Sequence, residues 1–278
     1  MSTHFLLIAG GTTASLLAGA GVCHLIPKLG AGGKRVAEAM CRAPGLDVLI
    51  TYFTVLPLFV GPAIGGWWGF VAAVLGQVVG LTLWEFLHEL ANPEAVRGPR
   101  IVRTINAKVG MWRNYAATWV TAIVTPLFWF VRLAQIFLYP LLTMLVRLPP
   151  YRSSEWVNVS RQKFSGLVGH DLIWCLYCDW MTGVWSLGSE MLRNVESFWC
   201  PIRFRSDKKC ANCVIDFPDI DGGWVPATGT MAQVVAVLDG EYPEKAPDAG
   251  AFHPWFGHPV RVTVGGRELR DGLDSASS

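Results

Sequence analysis

Hydrophobic positions in the first 148 residues come in long unbroken runs, without the alternation of a strand or the one-sided stripe of a soluble helix. Runs at 5–22, 46–64 and 67–87 each approach the length of about 20 apolar residues that carries a helix across a bilayer. In the first run, Gly11, Ser15 and Gly19 recur every fourth residue, a spacing that lets helices approach closely. Only His4 precedes that run where a signal peptide carries basic residues, and Ala20 and Val22 do not make a lipoprotein signal of Cys23, so it is expected to remain as an anchor.

Between the second and third runs, Pro62, Gly65 and Gly66 predict a tight helical hairpin with no charge in its turn. Trp67 and Trp68 suit one membrane interface and Trp84 the other. The segments at the opposite end are basic. Lys28, Lys34, Arg35 and Arg42 lie in the first, and Arg97, Arg100, Arg103, Lys108 and Arg113 in the second. Basic loops stay in the cytoplasm, so both are expected there, with the N-terminus outside.

The fourth run, 115–148, is too long for one upright span and too short for two full ones. Pro126 and Pro140 interrupt it, and Arg132 sits mid-run, where a lipid-facing charge is costly. Three courses remain open: a single crossing that continues along the far surface, a short hairpin of two tilted helices, or a helix in the cytoplasmic interface with Arg132 snorkelling. Arg147, Arg152, Arg161 and Lys163 follow closely, which favours a cytoplasmic C-terminal half and hence a hairpin or an interfacial helix.

Composition fits this picture. Of 278 residues, 52% are hydrophobic and 16% charged, against about 25% charged in an average soluble domain. That excludes a disordered chain and a soluble nucleic-acid-binding domain. The net charge of +2 divides unevenly, with 11 Lys/Arg against 5 Asp/Glu in 1–148 and 12 against 16 in the remainder. Loop positivity accounts for the basic half, so the expected partners are the lipid bilayer and a membrane or cytoplasmic protein, not nucleic acid.

The hydropathy pattern changes after residue 148. Five of the seven cysteines fall between 175 and 213, as the C-x-x-C pairs Cys175/Cys178 and Cys210/Cys213 and the single Cys200. Two thiolates at i and i+3 grip one metal from a single turn, and two such pairs complete a tetrahedron. The 31 residues between the pairs hold a helical pattern, with Leu187, Met191, Val195 and Phe198 in step before Cys200-Pro201 ends it. Cys200 and His170 are further candidate ligands, and a Cys-Pro pair also suits an iron–sulfur cluster. Zinc is the favoured metal and an iron–sulfur cluster the alternative. Asp171, Cys175 and Cys178 share a face of a helix, and Asp171 or Asp179 is placed to accept a hydrogen bond from His170. Trp174, Trp180, Trp185, Trp199, Tyr177 and Phe198 are expected to form a core, and Glu190, Arg193 and Glu196 a charged helix face.

Cys175-Leu-Tyr-Cys178 is also the dithiol spacing of thiol–disulfide exchange. In those four residues and in its helix count the chain resembles the quinone-linked oxidoreductases of the vitamin K epoxide reductase and DsbB kind. That resemblance implies a redox pair at the end of a transmembrane helix. The residues that follow, Asp179, Glu190, Arg193, Asn194 and Glu196, are too polar for a lipid-facing span and depart from that pattern.

His88-Glu89-Leu90-Ala91-Asn92 approaches the zinc-peptidase motif but has Asn where the second His ligand belongs. It is expected to end a helix before Pro93, with Glu89 paired to Arg97 or Arg100. After Val214 the chain is acidic, with 10 Asp/Glu against 4 Lys/Arg. Asp216 to Gly223 reads as a turn, since it lacks the register of a calcium loop. Thr230 caps a short helix through Leu238, ended by Asp239-Gly240, and residues 260–264 and 267–269 form a small hairpin. His253 and His258 fall in a surface loop. No phosphate loop, dinucleotide fingerprint or nucleophile elbow occurs.

The expected fold is mainly α: a polytopic helical membrane region over 1–148, a cysteine- and tryptophan-rich metal-binding segment over 149–213, and an acidic tail over 214–278, the last two making a small α+β domain. The expected function is a membrane-embedded component that docks a partner through its metal-stapled domain. The alternative is a membrane electron-transfer or thiol–disulfide oxidoreductase.

Overall fold

The computed structural model describes residues 2–146, 148, 150–200, 202, 225–241, 263–264 and 267–268. The described chain is mainly helical. Three stretches are long and apolar enough to cross a membrane: Thr3–Lys28, Gly45–Ala91 and Met111–Val146. Contacts divide the chain into two compact units, Met1–Phe128 with Ser153–Val184, and Trp129–Arg152 with Trp185–Ser278.

The first unit begins with α1 (Ser2–Leu25), in which neither proline nor a Lys, Arg, Asp or Glu interrupts the helix. A short turn at Ile26–Lys28 leads into α2 (Gly30–Met40). Helix α3 (Gly45–Ile50) then runs through a wider π-helical turn at Thr51–Val55 into α4 (Leu56–Ala91).

Helix α4 doubles back at Gly65 and Gly66, and Gly66 takes φ +57, a conformation open to glycine. The proof of reversal is contact. A Cβ on Gly61 would lie 2.5 Å from the Gly69 carbonyl oxygen, and Gln77 Nε2 donates to the Phe53 and Thr54 carbonyls at 2.9 and 2.8 Å. Both pairings are centred on the turn, so 45–64 and 67–91 are antiparallel arms. The hairpin expected from Gly65-Gly66 is present, with Pro62 inside the first arm.

Helix α1 packs against both arms. Thr13 Oγ1 donates to the Gly76 carbonyl at 2.9 Å, and the Tyr52 hydroxyl donates to the Ser15 carbonyl at 2.7 Å. The buried residues of α4 are all small: Gly61, Gly69, Ala72, Ala73, Gly76 and Gly80. The large ones face outward, among them Phe59, Trp67, Leu75, Phe86 and Leu90. This inversion is what a helix needs in lipid, where close backbone approach, not burial of large side chains, holds helices together. The seam of α1 is only partly the one its glycines suggested. Ser15 and Gly19 meet Tyr52, but Gly11 opens on empty space. Ala9 and Thr12 meet Gly76 instead.

The end of the bundle opposite the Gly65-Gly66 turn is covered by α5 (Pro93–Arg97), α6 (Ile101–Val109), α10 (Ser153–Trp156) and the first half of α11 (Gly169–Trp199). The Ala43 N–H donates to the Val157 carbonyl and the Val159 N–H to the Cys41 carbonyl, both at 2.9 Å. Residues 153–184 thus pack with the apolar run rather than apart from it.

The run Met111–Val146 comprises α7 (Met111–Ile123), α8 (Thr125–Leu133), a π-helical turn and α9 (Tyr139–Val146). It does not form the short hairpin, one of the two courses that the basic residues after it favoured. In the first unit Trp119 meets Trp174, Thr121 meets Tyr177 and Phe128 meets Trp180. In the second, Val131 lies against Gly188 and Tyr139 bonds Asn194. Partners on the run and on α11 advance together in each unit, which is parallel packing without reversal.

Helix α12 (Met231–Glu241) starts at Thr230, whose N–H and Oγ1 engage Gln233 as a capping box. It continues past Asp239-Gly240. The strands β1 (Thr263–Val264) and β2 (Arg267–Glu268) pair antiparallel, Thr263 opposite Glu268. The described residues do not support an α+β cysteine-rich domain. Cys210, Cys213, His253 and His258 lie outside them.

Candidate functional site

Helix α11 carries the candidate chemistry. Trp180, Val184, Leu187 and Met191 form its buried seam at three- and four-residue spacing. A Cβ on Gly183 would lie 3.1 Å from Val157 Cα, so glycine there admits the 156–157 backbone.

At its start, a buried ion pair fixes α11 to the second basic segment. Arg100 Nε donates to Asp171 Oδ2 at 2.6 Å and Arg100 Nη2 donates to Glu89 Oε1 at 2.7 Å. Asp171 also accepts from the Ile101 and Val102 N–H groups at 3.2 and 2.8 Å, so it caps α6 from 70 positions away. Arg100 and Asp171 are each 5% exposed. Burial works against the Arg100 charge, but the hydrogen bonds and negative charges of Glu89 and Asp171 outweigh it and hold the guanidinium above its ordinary value.

His88-Glu89-Leu90-Ala91-Asn92 belongs to the same junction. His88 Nδ1 accepts from the Gly169 N–H at 3.0 Å, and Asn92 Nδ2 donates to the His88 carbonyl at 2.8 Å. The motif ends α4, and Glu89 takes Arg100, one of its two expected partners.

His170 turns to Glu85 of the second arm, with Nδ1 3.3 Å from Oε1. Neither Asp171 nor Asp179 serves it, contrary to expectation. Asp179 Oδ2 accepts from the Ser160 and Arg161 N–H groups at 3.0 and 3.3 Å, and its Oδ1 pairs with Arg161 Nε at 3.0 Å.

Cys175 and Cys178 are free, half-buried thiols one turn apart on α11. The Arg161 guanidinium bonds the Cys175 sulfur, and this bond, ahead of the Asp179 charge, raises Arg161 above its ordinary value. Cys41 Sγ accepts from Gln162 Nε2 at 3.1 Å, and burial pushes that thiol up. Cys200 is exposed just past the end of α11. Among the described residues no three His, Cys, Asp or Glu side chains are grouped to hold a metal ion.

The expected aromatic core is present in part. Trp180 is fully buried against Phe128, and Trp174 packs edge-on to Trp119 with centroids 5.6 Å apart, but Trp185 and Trp199 are exposed.

The second unit contains a polar cluster that differs from expectation in two ways. Arg132 does not snorkel; it is 1% exposed and donates to Gln135 Oε1 at 2.9 Å. Glu190 is not on a solvated face; it is 6% exposed and accepts from the Tyr151 hydroxyl at 3.1 Å. Asn194 Nδ2 donates to the Tyr139 and Tyr151 hydroxyls at 3.2 and 2.5 Å. Burial beside Glu190 pushes the Tyr151 phenol well up. The signal for this cluster was in the sequence: Arg132, Gln135 and Tyr139 on one helix, and Glu190 and Asn194 on another, keep helical spacing.

Compared with known protein families, characterised proteins and solved structures, the chain matches none.

Proposed function

We propose that the chain is a multi-pass membrane protein whose cytoplasmic C-terminal half holds a metal through cysteines, zinc in the first place, and docks a protein partner at the membrane. The observation that carries the reading is the pair of free thiols, Cys175 and Cys178, one turn apart on a helix bonded to the second basic segment through Arg100. Two thiolates at this spacing make half of a tetrahedral site. Cys210 and Cys213 supply the other half, with Cys200 as a further ligand. His170, whose Nδ1 faces Glu85, would ligate through Nε2.

Contacts support the cytoplasmic side without a count of crossings. Asp171 is tied to Arg100, and residues 157–159 to Cys41 and Ala43, so α11 starts on the side of the basic loops, and such loops stay inside. There thiols remain reduced, which suits a metal staple in a segment with little core of its own.

Metal analysis of the purified full chain, with a visible spectrum, tests the reading. The expected result is a colourless protein with about one zinc per chain, the count of a single four-cysteine site, lost in the Cys175→Ser/Cys178→Ser variant. A brown chromophore bleached by dithionite assigns the cysteines to an iron–sulfur cluster. A metal-free protein overturns the site.

One contact favours a second reading, thiol–disulfide or electron-transfer chemistry: the Arg161 guanidinium at the Cys175 sulfur, within one turn of the second thiol, Cys178. Alkylation trapping in cells then finds an oxidised Cys175–Cys178 pair. Constant full reduction removes this reading.

A further inference from the structure

In the first unit, Met111–Phe128 has a face that nothing in the described chain covers. Trp112, Val120, Ile123 and Leu127 keep three-, four- and eight-residue spacing and are 53–76% exposed. Away from that face, Thr125 and Phe128 meet Tyr177 and Trp180 of α11.

The first unit fixes the direction of α11. Asp171 and Gly169 meet Arg100, Glu89 and His88, at the end of the second arm. Gly183 meets Trp156 and Val157, and Val157 bonds Ala43, just before the first arm. Pairing of the arms about Gly65-Gly66 sets these two places level. Between them α11 advances 12 residues, about 18 Å. The first half of α11 therefore passes across the basic end of the bundle rather than down its side. Residues 119–128 lie parallel to it and take the same course.

Were this run to cross a bilayer, Asp179 and the irregular backbone of 157–168 would enter the hydrocarbon with it, where unpaired backbone groups are not tolerated. Charge also points to a surface. From Glu94 to Glu155 the chain has eight Lys/Arg and no Asp/Glu between.

We propose that Met111–Phe128 does not cross the bilayer but lies in the leaflet on the side of the basic loops, its uncovered face among the acyl chains, its flanking cations on anionic headgroups and its other face carrying the first half of α11. This rests on the membrane reading above and is independent of the metal.

The test uses the full chain, native cysteines intact, in vesicles of phosphatidylcholine with a minority of phosphatidylglycerol. A genetically encoded spin-labelled amino acid replaces Trp112, Val120, Ile123 or Leu127, one at a time. Relaxation by oxygen and by a water-soluble nickel chelate gives the depth of each label. All four labels are expected at one shallow depth, about 5–10 Å below the headgroups, with oxygen access high. Depths that pass from one surface through the midplane toward the other overturn the proposal in favour of a crossing. Labels shielded from both reagents overturn it in favour of a protein partner or a second copy of the chain. Shallow labels in a metal-free protein leave the proposal standing while the metal site falls.

Discussion

Two regions of the first unit solve the same problem by opposite means. In the bundle of α1 and the two arms, the seam is glycine and alanine, and large apolar side chains point away from it. Around the first half of α11 the seam is Trp180 and Val184, and the charges of Arg100 and Asp171 are buried at the helix start. Each solution follows from its solvent. Lipid is as apolar as leucine, so burying leucine between helices gains little there, and close backbone contact takes over. At the aqueous edge, burying a large side chain stabilises by about 1.5–3 kcal/mol, and an ion pair can be sealed once its hydrogen bonds are complete.

Breaking the buried pair should have the largest effect. Asp171→Ala leaves Arg100 charged and half-partnered, and should cost about 3–5 kcal/mol, read as a lowered unfolding temperature in detergent. The double variant Arg100→Met/Asp171→Leu should recover most of it. If the double variant is as damaged as the single one, shape rather than charge holds the junction.

The bundle should fail through size instead. Gly69→Leu drives a side chain into the Gly61 carbonyl and should cost about 1–3 kcal/mol or more. Gly11→Leu, on open space, should change stability little. Equal damage from both would mean that the seam is misplaced.

A smaller effect is confined to alkaline pH. Burial raises the Tyr177 phenol above its ordinary value of 10.0. The folded state therefore prefers the protonated phenol. This contribution is full below the ordinary value and is lost as pH rises from there toward the raised one. In denaturation at rising pH, Tyr177→Phe should flatten the loss that the parent shows.

The smallest effect belongs to the bundle. Thr13→Val removes a hydroxyl–carbonyl bond between helices and should cost only about 0.6 kcal/mol.

The hairpin and its turn were legible because Gly65-Gly66 interrupts an otherwise apolar run, and only a reversal satisfies both the length and the bilayer. The small-residue seam was harder to find. Gly11 has the right spacing but the wrong face, and Gly76 and Gly80 sit in a run with few polar residues, Gln77, Thr82 and Glu85, so hydropathy could not single them out. For the fourth run the basic residues after it left a hairpin and an interfacial helix both open, because charge alone does not show its partner. Its polar stripe makes sense only once α11 is known to lie along it. Arg132 and Glu190 were read against lipid and water, but their surroundings are protein. The pairing of Asp171 with Arg100 joins residues 71 positions apart, and local pattern carries no such information. Of the candidate ligands, spacing put Cys175 and Cys178 on one turn correctly, while nothing local revealed that His170 faces Glu85.

The central claim is that α11 and the two basic loops share one side of the membrane. Dual-topology reporters test it most directly, one inserted at Gly98, between α5 and α6, and one fused after Ser278, each active on one side only. The account predicts that both report the cytoplasm. A cytoplasmic signal at Gly98 with an external one at the C-terminus would contradict it.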